Sequence, residues 1–128
     1  MELLYKDESF KIRGVVFDVY KNLGNHHKEK VYRDAVCYGL EAEGFEIQKE
    51  KRIDIYYQGK KVGTYIPDVI VNGKILIELK AKIMITKDDI AQFWHYLRNS
   101  DYRLGFLINF GTSEKVQIIR KVYDTARL

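Results

Sequence analysis

The sequence predicts an α/β sandwich around a mixed β-sheet. Three observations carry that expectation: two amphipathic helical stretches open the chain, short β-rich runs fill its middle, and a third helical stretch precedes two further strands. Neither a repeat nor a linker interrupts the order ααββββαββ, so residues 1–128 read as a single domain.

Each element follows from local pattern. From Ser9 to Asn22 the apolar residues Phe10, Ile12, Val15, Val16 and Val19, continuing to Leu23, recur at helical spacing, with Ser9 as the expected N-cap and Gly24 as the stop. After "GNHH", Val31, Tyr32, Ala35, Val36 and Leu40 form a second stripe ending at Gly44, which puts Glu29 near the start of that helix. The runs "FEIQ", "KRIDIYYQ", "VGTYIPDVIV" and "KILIELKA", separated by the turn candidates "QGKK" and "VNGK", read as an antiparallel meander. Thr86 is the expected N-cap of a third helix, with Asp88 and Asp89 in its first turn and Ile90, Phe93, Trp94 and Leu97 as its apolar stripe. "RLGFLINF" and "KVQIIRKV" complete the strands.

Composition narrows the function classes. Apolar residues at 46% and charged residues at 31% fit an ordinary globular protein, and a net charge of +4 permits a nucleic-acid partner without requiring one. The single cysteine, Cys37, excludes an internal disulfide, a four-cysteine zinc site and a cysteine-held iron–sulfur cluster, and it reads as a small packing residue. His26, His27 and His95 lack zinc-ligand spacing, the first two reading as a solvated loop. The ten tyrosines are explained mostly by core packing. With no sustained apolar stretch, the expected location is cytoplasmic, without membrane association.

The chemistry concentrates in "YIPDVIVNGKILIELKAK", residues 65–82, where Asp68, Glu78 and Lys80 stand in otherwise apolar strands. Strand alternation puts Glu78 and Lys80 on one face with Leu76. Asp68 joins them only if the turn supplies an extra residue. A two-residue Asn72-Gly73 turn would set Asp68 opposite Ile77, on the wrong face, whereas a three-residue Val71-Asn72-Gly73 loop with Gly73 left-handed would pair Ile70 with Lys74 and Asp68 with Leu76. The second register is expected. Two adjacent carboxylates repel and are costly to bury, so the pair suggests a hard cation, Mg²⁺ or Mn²⁺, bridging to a phosphate, with Lys80 polarising water or neutralising charge on phosphorus. The bland alternative is a solvated strand face with a weak Glu–Lys pair.

These residues resemble the PD-(D/E)XK nuclease superfamily, whose core pattern is matched by Pro67-Asp68 and Glu78-Leu79-Lys80. More narrowly the chain is similar to the GxxExxY family, through Leu23, Gly24, Glu29 and Tyr32 in "LGNHHKEKVYRDAV" and through "IELKA", "AQFWHYL" and "LGFLINFG"; His26 stands where the naming motif has its first Gly. The resemblance runs from about Phe10 to about Val122. It implies a restriction-endonuclease-like core, a central mixed β-sheet flanked by α-helices, with Asp68, Glu78 and the backbone carbonyl of Leu79 as metal ligands and Lys80 as the catalytic lysine.

The superfamily commonly adds an acidic residue from a preceding helix, or a His in RecB-like members, and Glu29 is the candidate here; a Glu that only complements the helix dipole is the other reading. Glu29, Tyr32 and Arg33, at i, i+3 and i+4, would address the site together. Gln92 and Tyr96 resemble the Q-x-x-x-Y element of RecB-like nucleases, which approaches the substrate backbone. The implied activity is metal-dependent hydrolysis of nucleic-acid phosphodiesters, DNA first. The alternative is a binding or interaction subunit that keeps the fold without cutting. In a chain of 128 residues, specificity would require a homodimer, a larger nucleic-acid-processing complex or a structured substrate end.

Overall fold

A computed structural model describes residues 4–123 of the chain; the extreme ends of the expected domain, 1–3 and 124–128, lie outside the described residues. Helices α1 (Lys6–Leu23) and α2 (Glu29–Ala42) lead into five short strands: β1 (Ile47–Lys49), β2 (Ile53–Tyr57), β3 (Lys60–Tyr65), β4 (Val69–Val71) and β5 (Ile75–Lys80). Helix α3 (Lys87–Arg98) and strands β6 (Leu104–Asn109) and β7 (Gln117–Val122) follow. Strands β1-β4-β5-β6-β7 form one mixed sheet in that order, and β2-β3 form a separate two-stranded sheet.

Strand alternation splits the core in two. Val69, Val71, Ile75, Ile77, Leu79, Phe106 and Ile108 pack against the stripe Ile12, Val15, Val16 and Val19 of α1 and Val36 and Leu40 of α2. The opposite face, with Ile70, Leu76 and Leu107, packs against Phe93 and Leu97 of α3 and against Tyr65. The mixed sheet is thus flanked by helices on both faces, as the sequence leads one to expect. The parallel pair β5–β6 cannot be joined by a hairpin, and α3 is the crossover between them.

Four local expectations are corrected. Helix α1 begins at Lys6, a turn before the predicted Ser9 cap: Tyr5 takes the left-handed conformation and its carbonyl receives the Ser9 N–H, so Ser9 is an interior, buried helical residue. Phe10 falls outside the stripe and is largely exposed. The predicted meander fails because β1 pairs with β4, so β2 and β3 are an excursion between two neighbouring strands. The run "VGTYIPDVIV" breaks at residues 66–68, where Pro67 can donate no ladder hydrogen bond.

Other signals hold. Gly24 ends α1 with φ +73° and donates to Tyr20 O, and Thr86 caps α3 in a reciprocal box with Asp89. Cys37 is buried, and burial pushes its thiol up to about 11, which keeps it protonated and unreactive at neutral pH.

The segment after β5 is braced by a buried amide. Asn109 Oδ1 accepts from Lys82 N–H (2.9 Å) and Gly111 N–H (3.1 Å), while its Nδ2 donates to Lys82 O (3.0 Å) and Gln117 Oε1 (3.0 Å). Gly111 lies so close to this segment that an added Cβ would sit 2.1 Å from Lys82 O. Gly111→Ala is therefore expected to destabilise the fold by about 2–3 kcal/mol through backbone displacement, and Asn109→Ala by about 1–3 kcal/mol through unpaired buried groups. Urea denaturation of both variants checks this.

Candidate active site

The turn between β4 and β5 sets the register on which the site depends. Asn72 (φ +53°) and Gly73 (φ +63°) form a tight turn closed by Lys74 N–H to Val71 O (3.0 Å). Asn72 is held left-handed by reciprocal bonds to Glu46: its N–H donates to Glu46 O and its Oδ1 accepts Glu46 N–H, both at 2.8 Å. Lys74 is the extra residue, and the pairs are Val71 with Ile75, Ile70 with Leu76 and Val69 with Ile77. Extending that register brings Asp68 level with Glu78. The expected pairing of Asp68 with Leu76 is thus corrected, and so is the diagonal arrangement. Asp68 and Glu78 still share one face, and they are directly opposite.

Beyond the last β4 pair, the two carboxylates take over from the ladder. Asp68 N–H donates to Glu78 Oε1 (3.0 Å), and Leu79 N–H donates to Asp68 Oδ2 (2.8 Å). Each side chain binds a backbone amide at or beside the other. Tyr65, the last residue of β3, donates its hydroxyl to the same Glu78 Oε1 (2.9 Å) and stacks on Tyr96 with ring centroids 3.8 Å apart. These bonds fall on one oxygen of each carboxylate, and Glu78 Oε2 and Asp68 Oδ1 make no hydrogen bond among the described residues.

Electrostatics mark this place as strained. Burial pushes Glu78 up to about 7, with the neighbouring Asp68 charge adding to it and the bonds from Tyr65 and Asp68 opposing. Burial likewise raises Asp68, against the Leu79 amide and the Arg33 and Lys80 charges. Glu29, the first residue of α2, is also raised, by burial of its carboxyl and by Asp68, while Lys80 and Arg33 pull it down. The α2 N-terminus thus lies within the field of Asp68 and Lys80.

The other expected site residues divide. Lys80 is half-buried and lines a narrow cleft with Glu78, Asp89, Gln92, Phe93, Tyr96 and Leu107; its volume of about 10 Å³ has room for roughly one water. Larger grooves of about 560 and 390 Å³ lie along β7, away from the carboxylates. Arg33 is tied to Glu50 while its charge reaches Asp68. Leu79 is buried between Glu78 and Lys80.

Tyr32 does not face the site. Its ring is 0% exposed and stacks on Phe110 at 4.4 Å, and its hydroxyl donates to Gly24 O while accepting His27 N–H. The expected substrate contact of Tyr32 is corrected: it pins the α1–α2 loop to the core. Tyr65 is the residue that sequence reasoning missed. The one signal for it was its place three residues before Asp68, across the break that Pro67 imposes.

The donor set fits a divalent hard cation, being all oxygen, with the Asp68 and Glu78 carboxylates drawn partly from water and raised by burial. Among the described residues, no three His, Cys, Asp or Glu side chains already converge as a metal-holding group.

Two consequences follow for pH. Glu78 has a folded value above its ordinary 4.5, so between about 4.5 and 7 the folded chain holds a proton that the unfolded chain releases. Its contribution to stability is complete below about 4.5 and is lost as pH rises through about 7. Thermal melts without divalent ions should show a loss on the order of 2–3 kcal/mol attributable to Glu78 from pH 5 to pH 8, absent in Glu78→Gln. Tyr65→Phe removes a donor to the charged form, so a carboxyl ¹³C titration should find Glu78 titrating above its value in the unaltered chain.

The chain has no helix among its described residues long and apolar enough to cross a membrane. Neither a curated protein nor a solved structure matches it. Residues 6–121 match the PD-(D/E)XK nuclease superfamily, a span that holds both helices of one face, all of the sheet but the last residue of β7, and Asp68, Glu78 and Lys80. On that match the chain belongs to the PD-(D/E)XK nuclease superfamily.

Proposed function

We propose that the protein is a metal-dependent nuclease hydrolysing phosphodiester bonds of nucleic acid, DNA in particular, within one domain spanning residues 1–128. The observation that carries this reading is the pairing of Asp68 with Glu78 on the face that also bears Lys80, each carboxylate keeping one oxygen for a ligand. Membership in a nuclease superfamily supports a nucleic-acid substrate.

In this reading Asp68, Glu78 and the Leu79 carbonyl would hold Mg²⁺ or Mn²⁺, with Glu29 contributing from the N-terminus of α2. The bound ion would supply Lewis-acid activation and charge neutralisation at the phosphate. Lys80 Nζ donates to the attacking water or to a non-bridging phosphate oxygen, holding the nucleophile in line and offsetting the charge that grows on phosphorus. Arg33, held by Glu50, keeps a positive charge beside Asp68. Gln92 and Tyr96 line the same cleft and hold the substrate backbone against it, while Tyr65 fixes Glu78 from behind.

One observation favours a second reading. The carboxylates already engage protein donors, and no three acidic or imidazole groups converge among the described residues. A fold that binds nucleic acid without cutting would keep that arrangement, and its binding would need no divalent ion and survive Lys80→Ala.

Cleavage of labelled single-stranded and duplex DNA with Mg²⁺ or Mn²⁺ separates the two. The nuclease reading expects cutting that requires the ion and falls by about 100-fold or more in Lys80→Ala and in Glu78→Ala. Equal cutting by all three proteins, or none by any, contradicts it.

A further inference from the structure

The β2–β3 excursion has no role in the sheet, yet its base is the catalytic strand. Glu50 N–H donates to Asp68 O (3.2 Å) where the hairpin leaves β1, and the returning strand ends at Tyr65, bonded to Glu78. Its root packs through Ile53, Ile55 and Tyr65 on the α3 side of the core, while its tip stands in solvent. There Tyr56 and Tyr57 are 62% and 65% exposed.

The register assigns the tip residues to faces. Tyr56 pairs with Lys61 and Tyr57 with Lys60, and successive strand residues point to opposite sides, so each face of the ribbon carries one tyrosine and one lysine. The irregularity between Ile55 and Tyr56 leaves Val62 without a partner and turns the tip relative to its root. Lys51, Arg52, Lys60 and Lys61 stand against the single acidic residue within 51–65, Asp54, which pairs with Lys61 Nζ at 3.2 Å, so the segment carries a net of three positive charges.

A stacking platform for single strands would gather its aromatics on one face. Here they are divided. A two-stranded ribbon whose exposed tip carries a tyrosine and a lysine on each face instead suits the major groove of B-form DNA, about 12 Å wide, which admits such a ribbon between its phosphates. The major groove of an A-form RNA helix is too narrow for it. Resting on the nuclease reading above, we propose that the β2–β3 hairpin enters the major groove of duplex DNA and delivers the adjacent strand to the Asp68–Glu78 site.

The test is fluorescence anisotropy of a labelled DNA duplex, with and without Ca²⁺, over a range of salt. Replacing both tip lysines (Lys60→Ala with Lys61→Ala) is expected to weaken binding about tenfold and to reduce the slope of log affinity against log salt by about 1.8, two phosphate contacts' worth. The matching double Lys→Arg variant should bind as the unaltered chain does, and circular dichroism checks that both variants fold. Unchanged affinity and slope in the alanine variant overturn the proposal. So does failure of the unaltered chain to bind duplex, or a loss confined to single strands. Hydrolysis by the unaltered chain with Mn²⁺ is scored separately: hairpin-dependent binding without cutting would overturn the nuclease reading and leave the ribbon standing.

Discussion

The structure depends on a clasp at the end of a short strand. Strand β4 is only three residues long, and where its ladder stops, Glu78 accepts the amide of Asp68 while Asp68 accepts the amide of Leu79. A backbone carbonyl could satisfy either amide at less cost, because each carboxylate must be drawn from water to reach it. The cost appears as the upward shift of both groups. Stability alone would favour apolar side chains here, as at Ile70 and Leu76 on the same face, so the carboxylates are retained at a cost to the fold.

Much of the surrounding fold serves to keep that clasp in register. Asn72 and Glu46 fix the turn, Tyr65 presses its hydroxyl on Glu78 from outside the sheet, and Arg33 brings a positive charge that reaches Asp68. The parallel pairing of β5 with β6 runs the full length from Ile75 to Lys80, so β5 is supported on its far side even where β4 has ended. Asn109 then holds the chain beyond Lys80.

Sequence patterns revealed what depends on periodicity and little that depends on partner choice. The helical stripes of α1 and α2 apart from the exposed Phe10 and Val31, the Thr86 cap and the shared face of Glu78 and Lys80 were legible, because spacing determines them. The meander was not, since alternation marks a strand without naming its neighbour, and β1 skips the hairpin to reach β4. The register at Asn72-Gly73 missed because the extra residue is Lys74, which has no distinctive turn chemistry. Tyr32 and Tyr65 are the sharpest contrast. Both look like half-buried aromatics in the sequence; the first is consumed by Gly24 and Phe110, and the second reaches a carboxylate thirteen residues away.

The central claim is that Asp68 and Glu78 are paired for a cation, and calorimetric titration with Mn²⁺ at pH 8 tests it most directly. At that pH Glu78 has passed its value of about 7 and carries its charge. The account predicts saturable binding in the unaltered chain that Asp68→Asn abolishes without unfolding the protein. Absence of binding by the folded chain, or equal binding by Asp68→Asn, would contradict it.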